Sequence, residues 1–363
     1  MITKPTLLLD ERKCKANIAT MATKAKKHNI TLRPHFKTHQ SLEIGRWFKE
    51  VGVSKITVSS LEMAAYFSAE WNNITVAFPI NILEINTINL LAKKIQLNVL
   101  LDSVEAVEFL AANLFDSIGF FIKINIGNNR AGIDNESLAI IDAIIRSSQK
   151  SNFLNFLGFL GHAGQTYKCR NKSEILEVHR IAKEKLVLLK MKYLDNFPDL
   201  IVSYGDTPSC SVAENFEGLD EIRPGNFVFY DLMQVQIGAS NYESIAVVMA
   251  CPIASINKIK GELIIYGGGI HFSKDRMEDN DHGDIYGKVV SKDDWSELVP
   301  NMFIRGLSQE HGIVKVPTSH IDKFKIGDLL YILPVHSCMT ADLMKAYKTL
   351  DNRQIYMLNS RVS

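Results

Sequence analysis

Between residues 31 and 229 of this 363-residue chain, short strand-like runs, apolar after the first, alternate with stretches of helical period. No other feature constrains the fold as strongly. The runs fall at 31–39, 55–59, 74–78, 97–101, 119–126, 156–161, 200–204 and 221–229. The helical stretches begin with one that Asp10 opens as an N-cap and that continues to Lys27. They go on at 41–51, 60–70, 83–94, 103–114, 135–149 and 172–194. The runs are continuously apolar, as strands buried on both faces of a parallel sheet are. Eight such β–α units over about 220 residues predict an α/β fold, a (β/α)8 TIM-type barrel. From about residue 240 the helical period is lost. Short β-type runs at 245–250, 263–266, 289–290, 303–307, 313–316 and 329–333 are separated by Gly, Pro, Asp and Asn. They predict a second, mostly antiparallel β domain. The division is therefore 10–240 for the barrel and 241–363 for the β domain, with residues 1–9 as a candidate addition to the latter.

Composition narrows the function. Lys plus Arg number 41 against 40 Asp plus Glu, a formal charge of +1. Such a balance offers no basic surface for nucleic acid. No apolar run reaches membrane-span length, and the first residues lack a signal peptide's apolar core. Five cysteines, at 14, 169, 210, 251 and 338, form no disulfide framework. A reducing, cytoplasmic setting is the expectation.

In a (β/α)8 barrel the working groups sit where the strands end. The first run, Thr31-Leu-Arg-Pro-His-Phe-Lys-Thr-His39, carries His35, Lys37 and His39 at alternate positions. On a strand those three face one way. Cationic neighbours disfavour an ammonium and make its amine a usable nucleophile. The fifth run is followed by Gly127-Asn-Asn-Arg130-Ala-Gly132, which presents Arg130. The sixth gives His162 and Tyr167 in Gly161-His-Ala-Gly-Gln-Thr-Tyr167. The seventh gives Ser203, Gly205 and Thr207, and the eighth Arg223, Gly225 and Asn226. Glycine-rich turns at the last two strands match the usual phosphate site of this fold. An amine at one place and a phosphate cradle at another suit pyridoxal 5'-phosphate held as an imine. Each motif alone is weak; their occurrence together at consecutive strand ends is the argument.

A second signal lies at Pro334-Val-His336-Ser-Cys338. On an extended chain, His336 and Cys338 face the same side and could offer imidazole and thiolate to one ion, zinc by ligand softness. Two protein ligands would leave positions open for water or substrate. A buried free thiol beside an imidazole fits the same tripeptide. Ser308-Gln-Glu310-His311-Gly312 reads as a turn or as a source of a base. The polar stretch 274–287 reads as a long exposed loop, disordered or part of the site.

Taken together, Pro34-His-Phe-Lys37-Thr-His, Gly161-His-Ala-Gly-Gln-Thr-Tyr, Arg223-Pro-Gly-Asn-Phe-Val-Phe-Tyr-Asp and His336-Ser-Cys338 resemble the D-serine dehydratase / D-threonine aldolase family. That family belongs to the alanine-racemase-like, fold-type III pyridoxal phosphate enzymes. The resemblance implies a barrel plus a β domain in a homodimer acting on small D-amino acids. It implies that Lys37 forms the imine with the cofactor, that Arg130 approaches the cofactor's phenolic oxygen, and that His162 lies against its ring. By the same likeness Ser203, Gly205, Thr207, Gly225 and Asn226 hold the phosphate, Arg223 faces the pyridine nitrogen, and His336 and Cys338 bind zinc or another divalent cation such as manganese. The expected activity is a lyase on D-3-hydroxy amino acids, of the D-serine or D-threonine dehydratase type. Retro-aldol cleavage to glycine and an aldehyde, racemisation, and a non-enzymatic cofactor carrier are the alternatives.

Overall fold

The structure, a computed structural model, describes residues 1–360. Its contacts divide the chain into two units. One comprises residues 19–37 and 45–225; the other comprises 1–18, 38–44 and 226 onward.

The first unit is the barrel. Eight parallel strands run in the spatial order Thr31–Leu32, Glu221–Ile222, Ile201–Tyr204, Leu154–Gly161, Ile118–Asn125, Gln96–Leu101, Asn73–Pro79 and Lys55–Val58. A bridge between His35 and Thr57 closes the ring. The Phe36 N–H donates to the Thr57 carbonyl at 2.8 Å, and the Thr57 N–H donates to the Pro34 carbonyl at 2.9 Å. Helices between the strands start where short polar residues can satisfy free N–H groups. Ser60, Ser103 and Asn171 accept from Met63, Ala106 and Glu174 respectively. Ile56, Ile74, Leu97, Phe120, Phe121 and Phe159 are fully buried, as the continuous apolar runs require.

Two expected strands are much shorter than their apolar runs. The first pairs only over Thr31–Leu32, and the eighth only over Glu221–Ile222, after which Asn226–Val228 turns into a 3-10 helix. Proline accounts for part of this. Pro34 and Pro224 each follow the last paired residues and cannot donate to a ladder.

The barrel also contains buried polar groups that the apolar runs conceal. Arg33 Nε donates to Glu221 Oε2 at 2.8 Å and its Nη1 donates to Asn73 Oδ1 at 2.7 Å. Asn98 Nδ2 donates to Thr75 Oγ1 at 3.2 Å. Both members of the Arg33–Glu221 pair are about 2% exposed, so each charge depends on the other.

The second unit holds a nine-stranded sheet. Six of its strands, Val247–Asn257, Glu262–Tyr266, His311–Lys315, Leu298–Leu307, Gly287–Val290 and Leu329–Pro334, pair antiparallel and close on themselves. The strand Thr6–Leu9 pairs antiparallel with Val247–Ala250 and parallel with Ala346–Thr349. The stretch 274–287 is an ordered hairpin, Met277–Asp279 with Gly283–Ile285, which buries Met277 and Ile285 in the core with Leu333 and Val335. Ser308–Glu310 forms the turn between two strands, with His311 and Gly312 opening the second, and the Ser308 N–H donates to the His311 carbonyl. Among the described residues, no helix is long and apolar enough to cross a membrane.

Candidate functional site

Lys37 stands in a turn beyond the bridged His35, not on a strand. What fixes that turn is the preceding residue. Phe36 is fully buried, its ring 5.0 Å from Phe48, 5.0 Å from Phe67 and 5.1 Å from Trp71. Gly45 leaves room for it, since a Cβ there would lie 3.2 Å from Phe36 Cε2. Lys37 itself is exposed.

Around the turn, the strand ends bring His162, Arg223, Arg130 and Lys123 into electrostatic reach of one another and of His35 and Lys37. Burial, and then the charges of Lys37 and Arg223, hold the His35 pKa well below the usual histidine value. His35 is therefore neutral and is not one of the cations expected beside Lys37. His162 is held neutral in the same way, by burial and by Lys123, Arg223 and Lys37. Its Nδ1 donates to the Gly205 carbonyl at 2.5 Å, which leaves Nε2 as the ring's acceptor. Arg223 donates from Nε to Ser203 Oγ and from Nη2 to the Gly161 carbonyl, both at 2.6 Å. Burial lowers its pKa to about 10, so it stays charged at neutral pH.

The glycine-rich turns approach one another closely. Gly225 N–H donates to Thr207 Oγ1 at 3.2 Å, and a Cβ on Gly205 would lie 2.7 Å from the Arg223 backbone nitrogen. Only glycine permits that approach. Asp206 fixes the turn by accepting from the Ser209 N–H at 2.7 Å and from the Thr166 hydroxyl at 3.1 Å. Two further residues of these turns make side-chain bonds of their own. The Ser203 side chain serves Arg223, and Asn226 belongs to the other unit. Tyr167 lies partly buried on the 3-10 turn Gly164–Lys168. Arg130 is exposed on a loop that Asn125 shapes, its Oδ1 accepting from the N–H groups of Gly127 and Asn129. Gly127, Asn129 and Gly132 all take positive φ there, at 120°, 52° and 103°.

Lys123 escaped the sequence reading. It stands inside the run Phe120-Phe-Ile-Lys-Ile-Asn-Ile126, is 7% exposed, and has its pKa lowered to about 7 by burial and then by Arg223 and Arg130. The signal was there to be found: a lone Lys within a continuously apolar strand.

His39 is not grouped with His35 and Lys37. The chain turns after Lys37, so the alternation of a strand no longer applies. His39 belongs to the second unit, fully buried, with its carbonyl accepting from the Tyr347 hydroxyl and Nδ1 from the Ser41 N–H. Burial takes its pKa down to about 3.

In that second unit His336 and Cys338 do come together, though not on one strand. His336 is the extended N-cap residue of the helix Ser337–Met344, and Cys338 lies in its first turn. A helix N-terminus favours a thiolate. Burial opposes ionisation of Cys338, but His336 and the Thr38 hydroxyl outweigh it and its pKa falls. Thr38 Oγ1 lies 3.2 Å from Sγ, and Asn226 Nδ2 3.4 Å. Asn226 is held in turn by Asp231 Oδ2 at 2.6 Å. His336 Nδ1 contacts Asp275 Oδ2 at 2.6 Å. Burial works against a charged His336, yet Asp275 and Cys338 lift its pKa to about 11. Among the described residues, no cluster of three His, Cys, Asp or Glu side chains could enclose an ion. His336 and Cys338 thus offer an imidazole nitrogen and a soft sulfur, the donor types that suit zinc.

The geometry has close counterparts. A family model described as "Alanine racemase, N-terminal domain" matches residues 9–232, and one described as "Putative serine dehydratase domain" matches residues 246–350. A D-serine dehydratase of Dictyostelium discoideum is 30% identical, with 96% of this chain and 93% of that protein aligned. A D-threo-3-hydroxyaspartate dehydratase of Delftia sp. is 27% identical over 95% and 93%. The solved structure of the dehydratase from Delftia sp. HT23 superposes with a TM-score of 0.91 over 99% of each chain, at 26% identity. A variant of that dehydratase is described as being in a metal-free form. A D-threonine aldolase from Filomicrobium marinum shares the fold, with a TM-score of 0.82 at 20% identity, covering 98% of this chain and 95% of that one. The chain belongs to the alanine-racemase-like family of fold-type III pyridoxal phosphate enzymes, in its D-serine dehydratase / D-threonine aldolase group.

Proposed function

We propose that the chain is a pyridoxal phosphate- and divalent-metal-dependent lyase that dehydrates D-3-hydroxy amino acids, D-serine and D-threonine first, to 2-oxo acids and ammonia. The observation that carries this reading is the His336–Cys338 pair, with Thr38 Oγ1 and Asn226 Nδ2 within hydrogen-bond reach of the Cys338 sulfur. A racemase or a cofactor carrier has no use for it.

Bound pyridoxal phosphate supplies a sink for the electron pair left behind when the α-proton departs. A divalent cation, zinc by the softness of its two ligands, supplies a Lewis acid for the β-hydroxyl. The chain's own residues do the rest. Lys37 Nζ would hold the cofactor and, once released from it, would be the base for the α-proton. The N–H groups of the turn at Gly205–Thr207 would receive the phosphate, joined by that of Gly225 if it exchanged its bond to Thr207 Oγ1 for one to the phosphate. Arg223 offers the cofactor's ring nitrogen a charged donor that keeps its proton. Neutral His162, its Nδ1 tied to the Gly205 carbonyl, offers a ring face for packing without adding charge. Arg130 and Tyr167 complete the cofactor's surroundings. His336 and Cys338 hold the cation. The β-hydroxyl leaves as water, and hydrolysis returns one water, so D-serine yields pyruvate and ammonium.

The test is product analysis on D-serine and D-threonine, with and without a chelator. A 2-oxo acid lost on chelation is expected. Glycine plus an aldehyde in place of the 2-oxo acid would make the enzyme an aldolase; an inverted amino acid formed despite chelation would make it a racemase. Homodimeric assembly and a cytoplasmic location belong to the same reading, and sedimentation of the purified protein tests the first.

A further inference from the structure

Asp275 has no part in the chemistry so far. It sits just beyond the helical turn Gly269–Phe272, in a segment fixed on both sides. Before it, the Phe272 carbonyl accepts the Thr340 hydroxyl at 3.1 Å, and the Asp275 N–H donates to Ser273 Oγ at 3.1 Å. After it comes the hairpin that buries Met277 and Ile285, with Asp279 paired to Lys288 at 2.8 Å. The carboxylate so held meets His336 Nδ1 at 2.6 Å.

An imidazole can present only one nitrogen lone pair when neutral, and the partner of the other nitrogen decides which. A carboxylate at Nδ1 keeps the proton there and leaves Nε2 for a cation. We propose that Asp275 is the positioning residue of the metal centre, fixing His336 as an Nε2 ligand and strengthening it as a donor. This rests on the reading of His336 and Cys338 as the ligand pair. Asp275 is not a third ligand: its Oδ2 is occupied by Nδ1, and no three-residue cluster converges on an ion among the described residues. The stretch 274–287 thereby gains a role, as the arm that carries this carboxylate.

The experiment uses the cofactor-loaded protein, stripped of divalent cations and titrated with zinc against a chromogenic chelator. Asp275→Asn should weaken zinc binding by about 10- to 100-fold. The cofactor's visible absorbance should not change, and Asp275→Glu should recover part of the loss. Nitrogen NMR of histidine-labelled, zinc-loaded protein should show His336 protonated at Nδ1 and metallated at Nε2. Zinc binding by Asp275→Asn within twofold of wild type would overturn the proposal, even if the variant melts earlier, because a purely structural ion pair would behave that way. So would a metallated Nδ1. If instead wild type binds no zinc, or His336→Ala binds it as tightly, the ligand reading itself falls.

Discussion

Replacing Lys123 by Met tests whether the barrel carries a buried amine at a cost. The side chain is 7% exposed, and its pKa moves from 10.5 to about 7. At 1.36 kcal/mol per pH unit, that displacement corresponds to about 5 kcal/mol of folding free energy when the amine is protonated in both states. The sign follows from proton counts. Between pH 7 and 10.5 the unfolded chain holds a proton that the folded chain has released, so stability rises with pH across that window. Below pH 7 the full cost is present. Met is apolar and close to Lys in length, so Lys123→Met should stabilise the cofactor-free protein at pH 6 by up to about 5 kcal/mol. The advantage should shrink by about 3 kcal/mol at pH 9, two units above the folded-state pKa. Urea unfolding followed by tryptophan fluorescence provides the assay. Trp47 and Trp71 are buried in the barrel unit and Trp295 in the other, so a Trp295→Phe background makes the signal report the barrel. A difference between variant and wild type that stays the same from pH 6 to 9 would refute the reasoning.

Other substitutions probe the frame that holds the site. Phe36→Ala empties the space among Phe48, Phe67 and Trp71 and should cost about 3–5 kcal/mol by chemical denaturation, with weaker cofactor binding because the Lys37 turn loses its anchor. Gly205→Ala forces a Cβ to within 2.7 Å of the Arg223 backbone; it should lower stability by about 1–3 kcal/mol and weaken cofactor binding measured by fluorescence quenching. Glu221→Leu strands Arg33 without its partner and should cost about 3–5 kcal/mol, most of which the double change with Arg33→Leu should restore. A loss under 1 kcal/mol in the single variant would mean the pair is solvated.

The sequence revealed the barrel well because most of its strands are apolar on both faces, and that pattern is local. It misjudged strand ends. His35 and Lys37 were read as strand neighbours of His39, but proline and a turn break the period, and only tertiary pairing shows where. The His336–Cys338 pair was found for the wrong backbone reason, since a cap residue and the first turn of a helix converge as readily as alternate positions of a strand. Ser203 and Asn226 read as phosphate ligands from their place in glycine-rich turns, and the sequence does not show what their side chains meet. Their side chains turn to Arg223 and Cys338, choices set by residues far away in the chain. Asp275 and Lys123 lay in segments whose composition pointed elsewhere, one polar and one apolar.

The strand Thr6–Leu9 lies between a partner 240 residues downstream and another 340 residues downstream, Leu8 facing Val248 on one side and Lys348 on the other. The ribosome adds roughly 5–20 residues per second, so the earliest strand made waits on the order of tens of seconds for its last neighbour. Throughout that interval its N–H and C=O groups offer an open edge to any other chain. The apolar side chains of Leu7, Leu8 and Leu9, buried in the finished protein, are exposed with it. Yield in cells should therefore depend on chaperones that cover the N-terminus, and a gene cut after the barrel should give an aggregating product even though every barrel strand is encoded.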